Sequence, residues 1–445
     1  MAAPIARCLR HCANKPNFLF ARLQCVSYSR SSDTCSPPFN NPIAFGSITV
    51  CKRSLVRTCA KYRPMQSGCQ TPTTNHMRCL STSTEATVSG NRKKRVLGIE
   101  TSCDDTGAAV VDDDGNILGE ALHSQIRNHL ETGGIIPPIA RDLHKEHIDR
   151  VVTLALERAN LQLQDVDAIA TTVKPGLPLS LMVGLDYART LVKQSGLPFI
   201  PIHHMEAHAL TARMIEPLEF PFLVLLLSGG HCLLALARDV DDFVLIGKNI
   251  DDAPGDAFDK TARRLRLKDI AGFEAVSGGQ AIEQLAKGGN PRAFDCTPIM
   301  SRHSDCNFSF AGIKTQLATV ITKEEQRQNV QDGGVLPNMA DICASFQYQV
   351  LRHLAKRLQR GLLFCDLKKL LPSRNRTLVL SGGVASNQFL RDGLERMCAH
   401  YDCRLVAPPP PLCTDNGIMI AWNGIEKLKR GIGFANPEGM RVEHR

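Results

Sequence analysis

Two histidines four residues apart, His204 and His208, stand in the run His203-His204-Met205-Glu206-Ala207-His208, directly after an apolar segment. On a helix that spacing puts both imidazoles on one face, an arrangement suited to a divalent metal. A structural or surface histidine pair is the plain alternative. Zinc peptidases of the H-E-x-x-H type carry their catalytic glutamate one step after the first histidine. Here Glu206 comes two steps after, roughly 200° around the helix, so it points away from the metal face. A third ligand is offered by Asp415 in Cys413-Thr414-Asp415-Asn416-Gly417. Its plain alternative is a helix cap. In a cleft it would add an oxygen ligand, and two nitrogens with one carboxylate leave positions open for substrate oxygens.

Other residues point to an anionic ligand. Leu226-Leu227-Ser228-Gly229-Gly230 and Ser381-Gly382-Gly383 each close an apolar strand, and Ser277-Gly278-Gly279 opens a helix. Glycine lets backbone N–H groups approach phosphate oxygens closely, although ordinary turns use the same residues. Asp259 lies within a helix, where an acid facing a cleft can bind ribose hydroxyls. Asp104 and Asp105 sit in a polar loop and can orient phosphate, metal or an amine nucleophile; solvated turn acids are the alternative. Arg352, Lys356, Arg357 and Arg360 form a basic helical stretch, read as a solvated face or an RNA contact.

The elements that must position these residues follow one pattern twice. In the first half, strands are expected over 96–100, 107–111 and 117–122, with a hairpin at Asp113-Asp114-Gly115-Asn116. A helix over 142–159, a strand over 167–173, a helix over 180–193 and a strand over 198–202 follow. The second half repeats the order: strands at 222–227, 232–237 and 243–246, helices at 257–265 and 344–363, a strand at 377–380, a helix at 387–400, a strand at 404–406 and a closing helix from 415. Such a duplication predicts an α/β architecture of two ribonuclease-H-like lobes with a cleft between them. Strand-end loops at 101–106, 228–231, 381–387 and 413–417 should converge on it. The expected organisation is a leader over 1–94, a first lobe over 95–220 and a second over 221–445.

The net charge of +9 comes from the leader, whose 14 Lys/Arg and two acids leave the remaining residues at −3. Nucleic-acid binding by the body would therefore need a local patch. The leader is Arg- and Ser-rich and acid-poor, the composition of an organelle transit peptide. Eight of the 17 cysteines fall in it, and the other nine form no CxxC pair, which argues against a zinc ribbon or disulfide framework. No apolar run reaches the roughly 18 residues of a membrane span.

Seven segments in register resemble one family, the tRNA N6-adenosine threonylcarbamoyltransferases, and within it the mitochondrial branch. They are Gly98-Ile99-Glu100-Thr101-Ser102-Cys103-Asp104-Asp105-Thr106, residues 203–208 and 227–231, Ala257-Phe258-Asp259-Lys260, Phe308-Ser309-Phe310, and residues 381–387 and 413–417. The resemblance covers about 96–430. It implies the actin/sugar-kinase/Hsp70 fold and a mitochondrial matrix location. It implies one divalent cation per subunit, zinc or iron, on His204, His208 and Asp415. Leu226, Leu227, Ser228, Gly229, Gly230, Asp259, Gly279 and Asn387 match residues that hold threonylcarbamoyl-adenylate, which a separate synthase would supply. Asp104 would position the attacking amine. The implied substrate is tRNA, and the implied state a monomer or homodimer. About seven extra residues separate the Asp259 helix from Ser277. A zinc metallopeptidase and a non-catalytic ATP-binding scaffold are the competing readings: the first lacks its expected base, and the second gives a metal triad no purpose.

Overall fold

The computed structural model describes residues 92–444 except 133, 275 and 331–333. The expected leader therefore lies outside the described residues, save its last three. The first sheet contains β1 (Arg95–Glu100), β2 (Asp105–Asp112), β3 (Ile117–Ser124), β4 (Ala168–Lys174) and β5 (Phe199–His203). Its order is β3-β2-β1-β4-β5. The first three strands form an antiparallel meander, and β4 and β5 add in parallel. The second sheet contains β6 (Phe222–Leu227), β7 (Cys232–Ala237), β8 (Phe243–Lys248), β9 (Arg376–Ser381) and β10 (Cys403–Val406). Its order, β10-β9-β6-β7-β8, is the same topology a second time. This is the duplicated ribonuclease-H-like architecture expected from the sequence.

Ten α-helices occur among the described residues: α1 (Ile126–Glu131), α2 (Pro137–Ala159), α3 (Pro178–Ser195), α4 (His204–Ile215), α5 (Pro254–Arg264), α6 (Gly278–Ala286), α7 (Ala311–Arg327), α8 (Met339–Lys368), α9 (Gln388–His400) and α10 (Gly417–Arg430). Strand β6 reads Phe-Leu-Val-Leu-Leu-Leu because both its faces are covered. Leu223, Leu225 and Leu227 enter the core beneath α5, α6 and α8. Phe222, Val224 and Leu226 enter a middle layer shared with α4 and α10. Leu97 and Ile99 of β1 face a third cluster, built with α2 and α3.

The middle layer decides where the site lies. Helix α4 leaves the first sheet and packs on β6 and β9, while α10 leaves the second and packs on β1 and β2. Glycines permit the close approach. A Cβ on Gly98 would stand 2.2 Å from the Ala421 backbone nitrogen, and one on Gly417 would stand 2.4 Å from the Ala108 carbonyl carbon. The crossing of α4 and α10 brings residues about 200 apart in sequence to one place.

Candidate metal centre and inter-lobe cavity

His204 is the first residue of α4, immediately beyond β5, and His208 lies one turn further on. Asp415 immediately precedes Asn416, whose side chain caps α10 by accepting from the Met419 amide at 2.9 Å. With Asn416 as the cap, Asp415 is free to turn toward the histidines. Its Oδ1 stands 3.1 Å from His208 Nε2 and 3.4 Å from His204 Nε2, and the two Nε2 atoms are 3.2 Å apart. Three ligands about 2.1 Å from one ion are separated by ~3.4 Å in a tetrahedron and ~3.0 Å in an octahedron. The triangle fits either geometry.

The donor set fits a divalent cation on charge as well. Behind His204 lies Glu100, fully buried at the end of β1, with Oε2 3.2 Å from His204 Nδ1. The other hydrogen bonds of Glu100 come from the Ser102 amide and the Thr172 hydroxyl, both at 2.5 Å. With neutral imidazoles the group carries two negative charges, which a divalent ion would balance. Without a metal, burial disfavours a charged His204, but Asp415 and Glu100 outweigh it and hold its pKa well above the ordinary range. Burial likewise opposes ionisation of Asp415, yet His204 and His208 pull its pKa far down. His204 and His208 side chains are 6% and 1% exposed and Asp415 25%, so the trio opens on the aspartate side.

Glu100 is a site residue that the sequence reading does not single out. The signal was present: an acid ending the otherwise apolar run Val96 to Ile99, on a strand buried along its length. Carboxylates in this position fix the tautomer and orientation of a metal-bound histidine. Glu206 does face away from the trio, pairing with Lys427 at 3.5 Å.

The remaining expected residues fall into two groups. Asp104 and Asp259 line one cavity of ≈520 Å³, with Ile126, Ile135, Arg263 and Phe273 among its walls. Asp104 comes from the first lobe's loop and Asp259 from α5. Burial first, and then the charge of Asp415, pushes the Asp104 carboxyl up, which ties this wall to the trio electrostatically. The loop Ser228-Gly229-Gly230 closes through a Ser228–His231 turn, with amide-to-carbonyl and amide-to-hydroxyl bonds of 2.9 and 3.0 Å. Gly229 and Gly230 are exposed. The N-terminus of α5 is laid against this loop, since a Cβ on Gly255 would lie 2.6 Å from Gly229 Cα.

Other positions are occupied structurally. Leu226 and Leu227 are 4% and 0% exposed, backbone included, and pack in the core. Asn387 caps α9 through the Leu390 amide at 3.0 Å and donates to Gln347 at 2.7 Å. Gly279 has open space around it, whereas a Cβ on Gly278 would meet Asp259 Oδ1 at 2.6 Å. Gly278 is thus the glycine that closes on Asp259. Three of the four cations of the basic stretch on α8 are bound to backbone carbonyls, and Lys356 is half-buried beside them. Arg357 is fully buried and donates to the carbonyls of Met300, His303 and Asp305, and Arg352 donates to that of Cys296. Arg360 also binds the His303 carbonyl. These arginines fasten the segment 296–305 to α8.

The fold and trio define a two-lobed α/β protein of the actin/sugar-kinase/Hsp70 class, with a His-His-Asp group that could hold a metal contributed from both halves of the chain. The family model described as tRNA N6-adenosine threonylcarbamoyltransferase, TsaD, matches residues 116–422. The mitochondrial tRNA N6-adenosine threonylcarbamoyltransferase of Danio rerio is 56% identical over 343 residues, covering 77% of this chain and 85% of the relative. Its Homo sapiens counterpart is 55% identical over 351 residues, 79% and 85% of the two chains. The Rhizobium johnstonii tRNA N6-adenosine threonylcarbamoyltransferase is 43% identical over 357 residues, 79% and 93%. The chain belongs to the tRNA N6-adenosine threonylcarbamoyltransferase family, in its mitochondrial branch. It is a transferase, and its location is the mitochondrion.

Proposed function

We propose that the enzyme transfers the threonylcarbamoyl group from threonylcarbamoyl-adenylate to N6 of adenosine 37 in mitochondrial tRNAs that read codons beginning with A. The observation that carries this reading is the joining of His204, His208 and Asp415, with the charge of Asp415 felt by Asp104 on the wall of a cavity that Asp259 also lines. The N6 lone pair attacks the carbamoyl carbon, the bond from that carbon to the phosphate oxygen breaks, and AMP leaves with the electron pair. Asp104 orients the amine and receives its proton, a role its raised pKa favours. Asp259 holds the ribose hydroxyls of the adenylate. The exposed amides of Gly229 and Gly230 face the phosphate, where backbone donors stabilise developing charge. One divalent cation per subunit, zinc or iron, held by the trio, supplies a Lewis acid for the substrate oxygens. Glu100 fixes the tautomer of His204.

The same reading gives the chain's organisation: a matrix-targeting leader over 1–94, lobes over 95–220 and 221–445, and a separate synthase that supplies the adenylate to a monomer or homodimer. Among the described residues no helix is long and apolar enough to cross a membrane. The test is nucleoside mass spectrometry of mitochondrial tRNA from cells lacking the protein. Loss of threonylcarbamoyladenosine is expected, and an unchanged level overturns the proposal.

A further inference from the structure

The body needs a local cationic patch to hold RNA, because residues 95–445 carry no net positive charge. The cavity supplies one. Arg263, Arg266 and Lys268 line it and are exposed. Among the described residues none of the three has an ion pair or a side-chain hydrogen bond. Their neighbour Arg264 is used differently, in a bidentate pair with Glu325 at 2.7 and 2.6 Å. The unpaired three are also held on a firm base. The Arg266 amide bonds the Arg263 carbonyl and the Asp269 amide bonds the Arg266 carbonyl, each at 3.0 Å. Arg266 takes a left-handed backbone (φ 55°), and Leu267, 1% exposed, anchors the turn in the core. The cavity is lined also by Asp104 and the exposed Ile126 and Ile135. Asp259 and Asp269 are the other acids among its lining residues.

We propose that Arg263, Arg266 and Lys268, where α5 runs into the extra residues before Ser277, form the contact for the RNA sugar-phosphate backbone flanking the modified nucleoside. The proposal rests on tRNA being the substrate. A phosphate oxyanion is the ligand chemistry, and the adenylate's phosphate is its other source. Three exposed cations spread along a rim match a polyanion. A single phosphate is already served by the glycine loops.

The test compares the full chain with the R263Q/R266Q/K268Q variant, and with R302Q/K323Q/R374Q, which removes the same charge at exposed positions outside the cavity. Binding of a mitochondrial tRNA transcript is followed by fluorescence anisotropy across salt concentrations, and KM is measured separately for tRNA and for threonylcarbamoyl-adenylate. With about 0.7 counterions released per single-strand phosphate, losing three contacts should make the salt slope shallower by about 2. Binding near 0.1 M salt should weaken by about 10- to 100-fold, with KM raised for tRNA alone. The control triple should stay within about threefold of wild type. Wild-type tRNA affinity and slope in the first triple overturn the proposal. So does a KM rise confined to the adenylate, or an equal loss in the control triple. If the wild-type chain neither binds nor modifies tRNA, the functional reading falls and this inference falls with it.

Discussion

Glutamine at position 100 should weaken metal binding without touching a ligand atom. Glu100 accepts from the Ser102 amide, the Thr172 hydroxyl and His204 Nδ1. Glutamine keeps the volume and one acceptor oxygen, which the Ser102 amide would claim. Its NH2 group then faces His204 Nδ1 and donates to it. A neutral imidazole that accepts at Nδ1 carries its proton on Nε2, the atom that belongs to the trio. The metal must then displace that proton or capture a disfavoured tautomer. Losing such an outer partner typically costs about 10- to 100-fold in affinity, or about 1.4–2.7 kcal/mol. Competition against a chromophoric zinc chelator measures this directly, and far-UV circular dichroism checks that the fold is kept. A Glu100→Gln protein that binds zinc within about twofold of wild type refutes the tautomer argument.

Three further outcomes follow from the packing and electrostatics. Gly98→Ala places a Cβ against the backbone of α10, 2.2 Å from the Ala421 nitrogen. It should cost about 3 kcal/mol or more and loosen Asp415, seen as a lower melting temperature together with weaker metal binding; an unchanged melting temperature contradicts the close approach. Burial, then the charges of Asp104 and Asp415, push the Asp105 carboxyl up to about 7 against a hydrogen bond from Ser124. The folded state therefore holds a proton that the unfolded chain releases near pH 4, so stability falls as pH rises from about 4 to 7. Asp105→Asn should flatten that slope and add about 1–3 kcal/mol at pH 8, read by urea unfolding at several pH values; an unaltered slope counts against it. Arg357→Met removes the donors to Met300, His303 and Asp305. It should destabilise by about 2–4 kcal/mol and open residues 296–305 to limited proteolysis, whereas wild-type resistance there rejects the fastening role.

The duplicated strand order was legible because buried strands leave near-continuous apolar runs, and β6 and β9 each end in Ser-Gly-Gly. The histidine pair was legible because four-residue spacing is local to one helix. Asp415 was harder. A residue before a helix reads equally well as a cap, and only the structure gives that task to Asn416. Helix α7 is not among the elements expected from the sequence: Ile313, Leu317 and Ile321 recur every four residues, but polar residues between them thin the stripe. The exchange of α4 and α10 between sheets is a packing event, recorded in sequence only as glycines such as Gly98 and Gly417, whose partners lie hundreds of residues away. The α8 arginines misled for a related reason: a charge pattern does not say whether backbone carbonyls wait across from it. Asn387 and the leucines of β6 occupy a resembling motif, yet their side chains cap and pack.

On the proposed function, His204, His208 and Asp415 act together in acyl transfer to tRNA. The most direct measurement is a single-turnover assay with purified protein, a mitochondrial tRNA transcript and threonylcarbamoyl-adenylate, with the modified nucleoside quantified by mass spectrometry. Product is expected with the wild-type chain, and a loss of at least about 100-fold with Asp415→Ala. A folded Asp415→Ala protein that modifies tRNA at the wild-type rate would contradict it.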